Sequence, residues 1–259
     1  MRTIKLTLCY DGTTFHGWQV QPKQRTVQET VEQAIATVTS ESIRIIASGR
    51  TDAGVHALGQ VVSFDTTSSM APETLQRALN AGLPEDVQIL DLRDATPGFH
   101  ALRDSLKKRY RYQLQDGAEI DIFRRRWCWH HKHSLNVRAM STAALHLLGR
   151  HDFSSFESTG AKRPDSIRTI HDIHVQREST PHQNRLSVEV EADGFLYNMV
   201  RAIVGTLVEV GRGVQEPDWM LHVLEEKNRH IAGPTAPPQG LFLRRVDYVG
   251  YPTISACCP

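Results

Sequence analysis

The sequence has no run of about 20 consecutive apolar residues, the length a helix needs to span a bilayer. It has only four cysteines, Cys9, Cys128, Cys257 and Cys258. Their spacing matches no zinc pattern, so no metal is expected, and reduced thiols fit better than a disulfide framework. Charge of either sign is scarcely in excess: the net value is +1, and bulk charge therefore makes no argument for nucleic acid. No P-loop and no Rossmann glycine fingerprint occurs, so no nucleotide cofactor is expected. The opening Met1-Arg-Thr-Ile-Lys5 runs straight into alternating apolar residues without the apolar centre of a signal peptide. A cytoplasmic chain is the expectation. What is present is ordinary for a globular protein, 40% hydrophobic and 23% charged residues over 259 positions, enough for two moderate cores.

The apolar pattern divides the chain into elements. Ile4, Leu6, Leu8 and Tyr10 alternate and so share one face of a strand. After a loop with Asp11-Gly12 and Gly17, Thr26-x-x-Glu29 reads as a capping box. Val27, Val31, Ile35 and Val38 then form a helical stripe. Segments 42–48 and 60–66 read as strands, 72–82 as a helix opened by Pro72, and 87–92 as a strand. The order is β-α-β-β-α-β, that of a ferredoxin-like unit. The second half repeats it: strand 109–115, helix 137–148, strands 168–176 and 185–191, helices 195–210 and 217–227, strand 240–249. The expected fold is α+β, two ferredoxin-like halves, 1–105 and 106–259, sharing a largely antiparallel sheet. A cleft between halves is a usual ligand site.

Chemistry concentrates in Gly49-Arg50-Thr51-Asp52-Ala53-Gly54, between two predicted strands. The glycines permit a sharp bend, and the bend would present Asp52 from rigid strand ends. Arg50, if it faces the same cleft, would favour the ionised carboxylate, and a carboxylate held ionised can act as a nucleophile. The competing reading is an aspartate that satisfies its own turn. Tyr110 and Tyr112 in Lys108-Arg109-Tyr110-Arg111-Tyr112 set rings beside cations, which suits base stacking with phosphate contacts; a cross-strand pair of core tyrosines is the alternative. Between Arg103 and Arg126 stand eight Lys or Arg against four Asp or Glu. That stripe is either a phosphate-tracking surface or a solvated strand pair.

Arg201 lies in the apolar run 195–205. A charge buried there needs an acid or a substrate, unless it lies on the solvent face. Phe15-His16-Gly17-Trp18-Gln19 could touch nucleic acid or could serve as a structural cover. His130, His131 and His133 follow Trp127-Cys128-Trp129 without a carboxylate or cysteine at ligand spacing, so they read as strand or surface histidines rather than a metal site.

Taken together, these motifs resemble a known family. Residues 49–57, Gly-Arg-Thr-Asp-Ala-Gly-Val-His-Ala, are similar to the signature of the tRNA pseudouridine synthase A family. Tyr10-Asp11-Gly12-Thr13, Gly17-Trp18-Gln19, Thr26-Val27-Gln28, Phe99-His100-Ala101, Lys108 through Tyr112, Asp152-Phe153, 195–205 and Gly240-Leu241 fall in the family's order. The resemblance implies isomerisation of uridine to pseudouridine at positions 38, 39 and 40 of the tRNA anticodon stem–loop by a homodimer without metal or organic cofactor. It implies that Asp52 attacks the uridine, Tyr110 packs on the flipped base, Arg201 pairs with the aspartate and Arg50 assists flipping. The reaction gains no atom and needs no redox or energy cofactor, and flipping the base costs a few kcal/mol. Two positions depart from the family pattern: Leu102 and Val20 stand where an arginine is usual, which bears on tRNA contacts. Two other readings share the scaffold, a non-catalytic RNA-binding protein and a nucleoside hydrolase. The second generally requires a pair of carboxylates.

Overall fold

The computed structural model describes residues 1–158, 165–178 and 184–256. Lys162, Arg163 and the Cys257-Cys258-Pro259 tail lie outside the described residues. The first part of the chain forms β1 (Arg2–Tyr10), α1 (Val27–Thr39), β2 (Ile46–Ala47), β3 (His56–Thr66), α2 (Pro72–Gly82) and β4 (Val87–Asp94). There follow β5 (Lys107–Asp116), β6 (Trp129–His131), α3 (Val137–Leu145), β7 (Gly149–Asp152), β8 (Ile167–Arg177) and β9 (Arg185–Ala192). The last elements are α4 (Met199–Gly211), α5 (Trp219–Glu226) and β10 (Leu241–Asp247). The fold is mixed α+β, with mostly antiparallel strand pairing.

Contacts divide the chain into two units, Met1–Leu106 with Phe242–Pro259, and Lys107–Leu241. The sequence reading placed all of 106–259 in the second half. The closing stretch packs with the first unit because Phe242 and Leu243 of β10 pair in parallel with His56 and Ala57 of β3. In unit 1, β1 lies between β3 and β4 and is antiparallel to both; β2 pairs antiparallel with β3. Ile4, Leu6, Leu8 and Tyr10 are buried, as their alternation required. The intervening Thr3, Lys5 and Thr7 are buried too. The cause lies near the chain's end: Lys5 Nζ sits 5.6 Å and 5.4 Å from the ring centres of Tyr248 and Tyr251.

In unit 1 two features differ from expectation, and in unit 2 the short strands β6 and β7 were not expected. The strand expected over 42–48 shrinks to the two residues of β2. The neighbouring chain is held by side chains instead: Glu32 accepts from the Ile45 amide at 3.1 Å, and Glu41 accepts from the Thr67 amide at 2.9 Å. Thr26 stands at the N-terminal end of α1, but its side chain makes no cap bond. Its hydroxyl is buried without a hydrogen-bond partner, so the capping box does not form. Val27, Val31 and Ile35 do face the core.

In unit 2, β5, β9, β8 and β7 pair antiparallel in that order, and β6 joins β5 in parallel. Alternation decides the faces. Tyr110, Tyr112 and Leu114 point into the core with Val188 and Val190. α4 is buried along most of its length, from Met199 to Gly211. It starts four residues later than the apolar run suggested, because Asn198 adopts a left-handed backbone.

Candidate active site

Asp52 stands in the turn that enters β3, half-buried, between buried Thr51 and buried Val55. The turn is closed by the Val55 amide donating to Asp52 O at 3.1 Å, with Gly54 at φ 75°. The loop after β1 holds it from outside. The Trp18 amide donates to Thr51 O at 2.9 Å, and the Gly54 amide donates to Phe15 O at 3.3 Å. Gly17, at φ 86°, lies so close that a Cβ there would be 2.8 Å from Thr51 O, and a Cβ on Gly12 would be 2.1 Å from Val55 O. The Tyr10-Asp11-Gly12 and Gly17-Trp18 motifs are therefore a mount for the Asp52 turn. Phe15 and Trp18 are its buried cover, while His16 and Gln19 are exposed.

The register of β1 against β3 shifts between Leu8 and Tyr10. Bulges of this kind re-aim side chains near functional sites. Here Tyr10 OH lies 2.7 Å from Thr51 Oγ1. Burial pushes the Tyr10 phenol up to about 12, so it is a neutral hydrogen-bonding group at neutral pH. Gln60 Nε2 ties down Gly49 O at 2.8 Å. His56 Nδ1 lies 3.0 Å from the Gly12 amide and 3.1 Å from Asp11 Oδ1. Burial alone would raise the Asp11 carboxyl. Hydrogen bonds from His56 and Thr13 outweigh it and hold the group far below the usual carboxylate range. Asp52 thus stands on a turn anchored through Gly49, Thr51 and Gly54, the kind of mount a reacting group requires. Arg50, on the same loop, is exposed.

In unit 2, the Tyr110 ring is buried on β5 and meets Phe195 edge-on, centres 5.0 Å apart. Arg201, in the first turn of α4, is half-buried. Its Nε donates to Ala236 O at 2.7 Å and its Nη1 to Asn198 Oδ1 at 2.6 Å. Tyr110 and Arg201 are thus both joined to the short lead-in to α4, through Phe195 and Asn198 respectively. The Pro/Gly-rich loop 233–240, which supplies Ala236 O to Arg201, is itself pinned to its neighbours. The Gly233 amide donates to Thr206 Oγ1 at 3.0 Å, Arg229 Nη1 donates to Gly233 O at 2.9 Å, and Tyr112 OH donates to Pro237 O at 2.7 Å. A Cβ on Gly205 would be 1.6 Å from Pro234 O, so the loop crosses α4 where only glycine fits.

The structure also decides several open readings. Arg109 bonds Asp172 at 2.6 Å, Glu189 at 3.1 Å and Glu191 at 3.0 Å. Arg111 pairs with Glu178. These two members of the basic stripe are engaged with acids on the sheet, whereas Lys108 shares the opposite face with the tyrosines. Tyr112 is a core residue, fully buried against Trp129. His130 Nε2 lies 2.8 Å from Gly117 O and His131 Nδ1 lies 2.8 Å from His133 O, as structural histidines do. Among the described residues no group of three His, Cys, Asp or Glu could hold a metal ion, and no helix is long and apolar enough to cross a membrane. Sequence reasoning missed Asn198 and Ala236. The first lies inside an apolar run that reads as helix throughout, and the second acts through a carbonyl; neither leaves a pattern in the sequence.

Known proteins bear on this arrangement. A family model described as tRNA pseudouridine synthase matches residues 8–101 and 143–249. The chain is 46% identical over 248 residues to "tRNA pseudouridine synthase A" of Geobacillus sp. (strain WCH70), covering 95% of this chain and 98% of that one. It is 46% identical to the protein of the same name from Shouchella clausii (strain KSM-K16), covering 96% and 94%. It is 42% identical to that of Thermoanaerobacter sp. (strain X514), covering 96% and 100%. Matches of this length and identity, spanning both the Asp52 turn and the Arg201 helix, place the chain in the tRNA pseudouridine synthase family.

Proposed function

We propose that the chain isomerises uridine to pseudouridine at positions 38, 39 and 40 in the anticodon stem–loop of tRNAs. Asp52 is the nucleophile, Tyr110 the ring that packs on the flipped base, Arg201 the cation of the pocket and Arg50 the arginine that assists flipping. The observation that carries this reading is the mount of Asp52: a half-buried carboxylate on a turn gripped by Trp18, Phe15 and Gly17. A carboxylate mounted in that way suits attack on an extruded base, which leaves its stack at a cost of a few kcal/mol. Stacking on Tyr110 offsets part of it, typically about 1–3 kcal/mol.

Each half is proposed to be a ferredoxin-like unit. Supporting this, unit 1 runs β-α-β-β-α-β with β1 between β4 and β3, and with β2 pairing β3 beside β10. The working form is proposed to be a cytoplasmic homodimer, with tRNA as its substrate and no metal. Sedimentation at twice the chain mass is the expected result for the dimer.

The test of the function uses tRNA tritiated at uracil C5, from which isomerisation releases the label. Wild-type protein is expected to release tritium. Asp52→Asn is expected to release none while retaining tRNA binding. Retained label at high wild-type concentration would favour an RNA-binding protein, and free uracil would favour a hydrolase. Substantial product from Asp52→Asn would remove Asp52 as nucleophile.

A further inference from the structure

Asn198 opens α4 with φ 60° and ψ 8°, in the left-handed region. An asparagine at a helix start ordinarily keeps an extended backbone and turns its side-chain oxygen onto an amide of the first turn. Asn198 does neither, and it makes no side-chain cap bond. Its carboxamide is committed elsewhere. Oδ1 accepts from Arg201 Nη1 at 2.6 Å, and Nδ2 donates to Ser158 Oγ at 3.0 Å. The Ser158 amide is bonded in turn to Tyr197 O at 3.1 Å. Non-glycine residues in this backbone region are uncommon and gather where the surroundings over-determine them, often at functional sites.

The geometry has a consequence for Arg201. Its guanidinium is a rigid plane. With Nε held by Ala236 O and Nη1 held by Asn198 Oδ1, the direction of Nη2 is fixed as well. Both of these acceptors are neutral, so neither cancels the positive charge they orient. An aspartate at 198 would accept the same bond but set a negative charge against the guanidinium.

Resting on the reading that Arg201 serves the uridine pocket, we infer that Asn198 is a positioning residue, whose left-handed backbone and amide oxygen hold the Arg201 guanidinium in one orientation. Asn198→Gly separates the two contributions of the residue, since glycine keeps the backbone and deletes the amide. Measured by tritium release from labelled tRNA, Asn198→Gly is expected to lower kcat about ten-fold while leaving the KM for tRNA and the melting temperature near wild type. Asn198→Asp is expected to lower kcat as well, through charge cancellation. In an Arg201→Ala background, Asn198→Gly is expected to cost nothing further, because its effect runs through that arginine.

Wild-type kcat in Asn198→Gly, or independent losses that multiply in the double variant, would overturn the positioning role alone. A wild-type rate in Arg201→Ala would overturn the reading of Arg201 itself, and the positioning role with it. The single arginine variant therefore separates the two failures.

Discussion

Gly17 and Gly12 show how tightly single residues are chosen around Asp52. A methyl group on Gly17 meets Thr51 O at 2.8 Å and must also adopt φ 86°. The left-handed backbone alone costs about 1–2 kcal/mol, and relief comes by moving the Thr51 carbonyl next to Asp52. Gly17→Ala is therefore expected to keep its fold by circular dichroism and to lose most of its kcat; unchanged turnover would show that the turn tolerates displacement. Tyr110 gives a second expectation. If its ring serves by stacking, Tyr110→Phe keeps more activity than Tyr110→Leu, and the leucine variant loses roughly ten-fold or more. Equal losses in both would assign the role to the hydroxyl. Asp52 was legible in the sequence because glycines bracket it and because its neighbours form an ordered set of motifs. Asn198 was not: its letters sit in an apolar run that reads as helix, and only the backbone shows that the helix starts after it. The supporting role of Gly12 and Gly17 was equally hidden, since a close approach between separated loops leaves no local pattern.

At the scale of elements, periodicity located the α-helices and the longer strands, missed the short β6 and β7, and misjudged what lies over the sheet. Alternation in β1 identified one buried face and left the other undescribed; there Lys5 is buried beneath Tyr248 and Tyr251. Burial lowers the pKa of its ammonium group, an effect that Asp91 partly offsets. The covering residues come from the far end of the chain, a distance at which hydrophobic patterning is silent. The capping box at Thr26 failed for a related reason. Its hydroxyl is buried without a partner, and the first amides of α1 bond to the loop after β1 instead: Val27 N donates to Gly17 O at 3.2 Å and Gln28 N to Trp18 O at 3.0 Å. A buried hydroxyl without a bond is costly, so Thr26→Val is expected to leave stability unchanged or raise it. A drop of about 1 kcal/mol in urea denaturation, the usual loss of a cap, would mean that the hydroxyl does cap α1 in solution.

Across the whole molecule, acids that are held ionised set the response to pH. Burial alone would raise the carboxyl pKa of Asp116, Asp172 and Glu191. Hydrogen bonds and charge from Arg177, for the first, and from Arg109, for the other two, outweigh burial and hold each below its ordinary value of 3.8 or 4.5. A depressed folded pKa stabilises above the unfolded value, and that contribution is lost as pH falls through the folded one. Stability should therefore be level above about pH 5 and decline on acidification below the ordinary carboxylate range. Asp116→Asn, which breaks the 2.8 Å pairs with Arg177, should lower the neutral plateau and flatten the acid decline in urea titrations. A parallel decline in the variant would place the acid sensitivity in other groups.

The parallel pairing of β10 with β3 also orders the birth of the protein. The strand that carries the Asp52 turn leaves the ribosome long before its neighbour at His56 and Ala57 is translated. Until then that part of β3 is a bare edge, the kind of surface that recruits other chains. Nascent chains arrested before residue 241 should accordingly depend on chaperones for solubility, and synthesis of β10 is the moment at which the Asp52 turn acquires its full support.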